Sequence, residues 1–223
     1  KRVGFFTSPL GSHFRVDSLT QQSVRLIEEL GAEVVELDQI SEENIGGDAF
    51  QVLLYEFKDG LDEYFSSLGE DSPIKSMEDL ANKIRETPEE TEKFDRDLIL
   101  TAAEKGGLDS EEYQTALENM LRVSREEGID RVMEEYDLDV IIAPTGGPAW
   151  KTDLINGDNF SLGSSSPSAR AGYPIISVPM GNIDGLPVGM SFFGSAWSEP
   201  VLLEAAYAFE QASNARIVPA FEE

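Results

Sequence analysis

The chain has 223 residues, with 43 acidic and 17 basic side chains for a formal charge of −26, one histidine and no cysteine. Without cysteine there is no thiolate nucleophile, disulfide framework or cysteine zinc site, and with one imidazole a Ser-His-Asp arrangement must use His13 and a two-histidine metal motif cannot be written. The acidic balance opposes binding to nucleic acid or to an anionic membrane surface, while 40% hydrophobic and 9% aromatic residues suffice for a core.

Arg2-Val3-Gly4-Phe5-Phe6 is a short apolar run that ends in the Ser8-Pro9-Leu10-Gly11 turn and reads as a buried strand. Ser18 with Gln21 is a capping-box pattern opening a helix, on which Val24, Ile27 and Leu30 share a face before Gly31 closes it. Glu33 to Leu37 follows as a second strand. Strand, helix, strand over 1–38 predicts a βαβ unit with parallel strands. Its first loop, Thr7 to Val16, carries neither G-x-G-x-x-G nor a P-loop pattern.

Residues 50–136 are predicted to form a helical layer. Phe50, Leu53, Leu54, Phe57, Leu61, Tyr64, Phe65 and Leu68 recur every three or four residues and stop at Gly69. Ser76 to Glu86 is a short amphipathic helix with Leu80 and Ile84 inward. Thr87-Pro88-Glu89-Glu90 orders a cap, an early proline and a glutamate for the next helix, which carries Phe94, Leu98 and Ala102. Asp109 and Glu112 open another, with Tyr113, Leu117, Met120 and Leu121, continuing through Gly128 to Val132, Met133 and Tyr136.

The segment 138–214 returns to strands. Val140-Ile141-Ile142-Ala143 reads as a strand buried on both faces, ended by Pro144-Thr145-Gly146-Gly147-Pro148. Residues 151–166 form a long polar loop, of the kind that is usually functional or mobile. Ser166-Pro167 caps a short helix closed by Gly172. Ile175 to Val178 and Val188 to Phe193 are strands joined across Gly181 to Gly185, and Ser198 and Pro200 start a final helix with Leu202, Ala205, Ala206, Phe209 and Ala212 inside. The fold class expected is therefore α/β: a mixed β-sheet with a parallel βαβ start, covered by helices, in one unit over 1–223. No apolar run approaches the ~20 residues of a membrane span, no secretory leader is read, and a cytoplasmic location is expected.

Chemistry is sparse. Carboxylate pairs are expected by chance among 43 acids, so solvated helix faces account for them better than glycosidase or metal chemistry. His13, in a loop beside Phe14, suits a surface or turn role. Gly163-Ser164-Ser165-Ser166 places hydroxyls in a Gly-rich loop before a helix, and a nucleophile there would need Lys151 as base; helix capping and loop composition explain the same serines. The strand end at Thr145 has the better claim, because α/β sheets bind ligands beyond the carboxyl ends of their strands. Thr145 offers a hydroxyl, Gly146 and Gly147 permit close approach, and Trp150 can wall a pocket; a tight turn with a surface tryptophan accounts for the same residues.

Several stretches together resemble the C-terminal half of an amidase signature enzyme, of the bacterial amidase or peptide-amidase-like branch. They are Lys1 to Gly4 with Leu30 to Glu36, Leu54-Tyr55-Glu56-Phe57-Lys58, Leu138 to Thr145, Ala171-Gly172-Tyr173-Pro174 through Pro179, and Gly185-Leu186-Pro187-Val188-Gly189-Met190. The resemblance spans essentially the whole chain. It implies amide hydrolysis by a Ser, cis-Ser, Lys triad with no metal or cofactor. The family's Gly-Ser-Ser-Gly-Gly type motif is not among these residues, so no catalytic residue is assigned and the chain alone is expected to be inactive.

What the resemblance transfers is a substrate side: Thr145, Gly146, Gly147 and Pro148, with Trp150, Ser164, Ser165 and Ser166 as further candidates. The family's glutamine-using amidotransferase members place an aspartate shortly before the A-G-x-P segment, and Ser161 to Ser166 holds no acid. A small-molecule or peptide amide is the partner implied. A stand-alone binding domain derived from an amidase half is the alternative, and self-association through an exposed sheet edge is expected of a part-sheet.

Overall fold

The structure is a computed structural model that describes residues 1–87, 89 and 96–219. In chain order the elements are β1 (Arg2–Phe6), α1 (Phe14–Glu29), β2 (Glu33–Leu37), α2 (Gly46–Ser67), α3 (Met77–Glu86), α4 (Asp97–Ala103) and α5 (Glu111–Ser124). A kinked turn (Arg125–Ile129), broken at Gly128, then leads to α6 (Asp130–Glu135), β3 (Val140–Pro144), α7 (Ser166–Ala171), β4 (Ile175–Ile183), β5 (Leu186–Phe193) and α8 (Glu199–Ser213). These residues gather into two compact units, Lys1–Glu43 with Leu121–Glu223, and Asn44–Met120, where the sequence reading treated 1–223 as one. Helical periodicity at 50–136 does not say whether its helices pack on a sheet or on one another.

The first unit is built on a mixed five-stranded sheet in the order β2-β1-β3-β5-β4. Strand β1 runs parallel to β2, as the βαβ reading expects, and also to β3, while β5 is antiparallel to β3 and β4. Alternation assigns the faces. Val3, Phe5, Val140, Ile142, Met190 and Phe192 pack against Val16, Val24 and Ile27 of α1 and Leu202, Ala206 and Phe209 of α8. On the other face Leu37, Ile141, Ala143 and Phe193 meet Ile129, Val132 and Ala171. Strand β3 is buried on both sides, which is why it needs an uninterrupted apolar run. Each such side chain contributes about 1.5–3 kcal/mol relative to exposure.

Helix α1 begins at Phe14, one turn before the predicted Ser18 start. Val16 and Thr20 are buried on the same stripe as Val24 and Ile27, so tertiary burial extends the helix past a good local cap. His13 becomes the N-cap, its Nδ1 accepting from the Val16 N–H at 3.4 Å. At the other end Gly31, at φ +94°, donates to the Glu28 carbonyl and Ala32 donates to Ile27, the paired bonds of a Schellman stop. Strands β4 and β5 are longer than predicted: they turn on two residues, Asp184 at φ 52° and Gly185 at φ 85°. Gly181 lies inside β4 rather than in the turn, paired with Val188, and a Cβ there would press on Leu19 at 3.1 Å. In α8, Leu202, Ala206 and Phe209 face the core as expected, whereas Ala212 is exposed.

The second unit packs Leu54 of α2, Met77 of α3 and Ala102 of α4 into a small core, with Phe57, Leu61, Leu80 and Ile99 at its edge. The short helix read at Ser76 to Glu86 forms as α3, with Ser76 as its N-cap accepting from the Asp79 N–H at 3.1 Å. Tyr55 donates to Glu112 at 2.6 Å and Tyr113 to Glu56 at 2.8 Å, crossing α2 to α5. The predicted start with Pro88 and Glu90, and Phe94 on its helix, lie outside the described residues. No helix among the described residues is long and apolar enough to cross a membrane.

Candidate functional site

Strand β3 delivers its last residues to the sheet's antiparallel side, where the second face changes character. Next to Ala143 and Phe193 on that face come Thr145, Ser191 and Ser177, from three neighbouring chain segments. The Thr145 N–H donates to the Gly189 carbonyl at 2.8 Å, which locks its position beside β5. Its Oγ1 donates to Ser177 Oγ at 3.1 Å and bonds Ser191 Oγ at 2.8 Å, and Ser177 and Ser191 close the triangle at 3.1 Å. Ser191 is buried, Thr145 half-buried and Ser177 exposed, so the triangle opens from the core to the surface. Gly189 shares this face: a Cβ there would lie 2.9 Å from Thr145 Oγ1, so glycine keeps the threonine in place.

Beyond Thr145 the loop folds onto the segment before α7. Gly146 pairs with Gly163 in an isolated antiparallel bridge, and a Cβ on Gly147 would collide with the Ser161 hydroxyl. Gly146, Gly147 and Pro148 are half-buried. Trp150 is 42% exposed; its Nε1 donates to Asp158 Oδ1 at 2.5 Å and its ring meets Phe160 edge-on at 6.3 Å. Residues 151–160 are all exposed. Asp153 accepts from Asn156 Nδ2 and from the Asn156 and Ile155 N–H groups, and these bonds hold its carboxyl below the usual carboxylate range.

Ser164 is buried, 1% exposed, with its Oγ unpartnered; Ser168, one helical turn on, is likewise buried with a free hydroxyl. Ser165 and Ser166 are exposed. The cap expected from Ser166 does not form: Ser166 is the first residue of α7, Ser165 flanks it without a side-chain bond, and Pro167 fixes the first turn. Gly172 closes the helix at φ +68° as expected. The following tyrosine is anchored: Tyr173 donates to Asp130 at 2.7 Å under the Arg125 guanidinium, and burial, then Asp130, push its phenol up to about 12. Among the described residues no hydrogen bond links Lys151 to Ser164, Ser165 or Ser166, and His13 spends its Nδ1 on a helix cap.

The structure thus brings Gly146 to the segment that carries Ser164, gives Trp150 its own partners, and ties Thr145 to two serines that sequence reasoning missed. Ser177 and Ser191 look like ordinary polar positions in apolar strands. Only the register of β3, β4 and β5 unites them.

A family model described as Amidase matches residues 1–203. The chain is 37% identical over 174 residues to a probable amidase of Arabidopsis thaliana, covering 76% of this chain and 30% of the relative. It is 30% identical over 213 residues to a glutamyl-tRNA(Gln) amidotransferase subunit of Lactiplantibacillus plantarum, covering 90% and 42%. Among solved structures it is similar to the peptide amidase PAM in complex with the competitive inhibitor chymostatin, with a TM-score of 0.91, 38% identity, and coverage of 99% and 45%. The chain spans less than half the length of each of these proteins.

Proposed function

The chain belongs to the amidase signature family, and from that premise we propose that it supplies the C-terminal part of an amidase that hydrolyses carboxylic amides. In this reading a serine of the complete enzyme attacks the amide carbonyl while a lysine, acting through a bridging cis-serine, takes the hydroxyl proton. The C–N bond breaks, the amine leaves protonated, and water hydrolyses the acyl-serine ester. Those three residues belong to an N-terminal half. This chain contributes sheet, covering helices and one wall of the substrate cleft, at Thr145 to Pro148 with Trp150 and Ser164 to Ser166.

The observation that carries the reading is the likeness to a peptide amidase over 99% of the chain at 38% identity. A small-molecule or peptide amide is the substrate class proposed. The acid-free stretch Ser161 to Ser166 favours that class over glutamine coupled to tRNA. The test is ammonia release from simple carboxamides and peptide amides, by this chain alone and by the polypeptide encoded when the reading frame is extended upstream. Release by the extended polypeptide only is expected. Release by the chain alone, lost on changing Ser164, Ser165 and Ser166 together to alanine, would overturn the inactive-part reading, and an upstream frame without a Gly-Ser-Ser-Gly-Gly stretch would favour a binding domain derived from an amidase half.

A further inference from the structure

The Thr145–Ser177–Ser191 triangle has a polarity. A hydroxyl owns one proton and two lone pairs. Thr145 donates to Ser177, so the 2.8 Å bond between Thr145 and Ser191 uses the Ser191 proton, and the 3.1 Å bond between Ser177 and Ser191 uses the Ser177 proton. The three protons circulate inside the ring, and each oxygen keeps one lone pair. What the ring presents outward is acceptors only. Ser191 is buried and cannot meet a ligand directly; Thr145 and Ser177 can. Gly189 puts no side chain on the same face, where a Cβ would stand 2.9 Å from Thr145 Oγ1.

We propose that this ring is a specificity element of the cleft, in which Thr145 and Ser177 accept from the N–H groups of the amide being cleaved and Ser191 is a positioning residue that fixes their polarity. The inference rests on the amidase reading for its substrate. A carboxamide nitrogen carries donors and no usable acceptor, which complements such a ring. An ester of the same acid offers only acceptors at that position and gains nothing from it.

The experiment compares benzamide with methyl benzoate in the extended polypeptide. Replacing one neutral hydrogen bond, worth about 0.5–1.5 kcal/mol, corresponds to roughly 2–10-fold. Ser177→Ala and Ser191→Ala are each expected to raise the amide-to-ester KM ratio by about that factor, with little change in kcat. Thr145→Ser keeps the amide preference that Thr145→Val loses. Equal effects on amide and ester, or none, would overturn the proposal. If Ser191→Ala fails to fold, the exposed Ser177→Ala still decides it. If the unsubstituted polypeptide hydrolyses no amide, the functional reading fails separately. Calorimetric titration of benzamide against methyl benzoate then judges the ring: binding of the amide weakened by Ser177→Ala supports it, and equal binding of both ligands overturns it.

Discussion

At Gly189 the hydroxyl ring leaves no room for a side chain. A Cβ would stand 2.9 Å from Thr145 Oγ1 and 3.3 Å from both Thr145 Cβ and the Val178 carbonyl, and two of these neighbours cannot swing away. Gly189→Ala is therefore expected to lower stability by about 1–3 kcal/mol, the usual range for overpacking, and to cost the amide preference as well. Thermal unfolding reads the first and the KM ratio the second. Tyr173 provides a pH test. Burial first, and Asp130 second, raise its phenol to about 12, above the ~10 of an unfolded tyrosine. The folded state thus holds the proton longer than the unfolded state. Its contribution is intact below pH ~10 and is lost as pH rises from there to about 12. Tyr113, raised to about 12 by burial and Glu56, acts in the same direction. Denaturation midpoints measured along this range should fall, and Tyr173→Phe should flatten the decline. A decline equally steep in the variant would refute the assignment.

Elements were legible where one segment's chemistry decides its fate. The run Val140 to Ala143 reads as a doubly buried strand and is one, and Gly31 stands where α1 closes. They were illegible where distant packing decides. The helix start moved from Ser18 to Phe14 because Val16 is needed in the core, and β4 ran past Pro179 and Gly181 because β5 pairs with it to Ile183. The turn itself was written in the sequence as Asp184-Gly185, hidden among other punctuating residues. Both residues have positive φ, the pattern of a two-residue hairpin turn. Gly185→Val is then expected to cost about 1–2 kcal/mol from backbone strain alone, since nothing lies within 4 Å of its would-be Cβ. Gly128 is the opposite case. Its backbone, at φ −115° and ψ −109°, interrupts the helix between α5 and α6, and a Cβ would lie 2.6 Å from the Val123 carbonyl oxygen. Gly128→Ala should destabilise through that backbone clash. A Gly128→Ala chain as stable as the parent in urea would show that the kink can relax.

For the whole molecule, the sheet's outer strands and the acidic surface act against each other. Among the described residues β2 and β4 are paired on one side only. Strand β4 is a poor template for another chain, because Pro179 lacks an N–H and the register shifts between Pro179 and Gly181. Strand β2 is continuous over Glu33-Val34-Val35-Glu36-Leu37, which makes it the edge through which copies are expected to associate. Its exposed Glu36, within a chain of formal charge −26, opposes that pairing by repulsion, while Glu33 is ion-paired with Arg2. Repulsion between copies is long-ranged and salt-sensitive, whereas strand pairing is short-ranged and is not. The screening length falls from about 30 Å at ~0.01 M salt to about 3 Å at ~1 M, so the balance tips toward association as salt is added. Light scattering should accordingly give a monomer mass at low salt and a rising mass at high salt. Glu36→Gln, which removes one outward charge from the edge, should move the rise to lower salt. A mass that stays monomeric throughout would mean that charge is not what holds the copies apart and that β2 is not an open edge in solution.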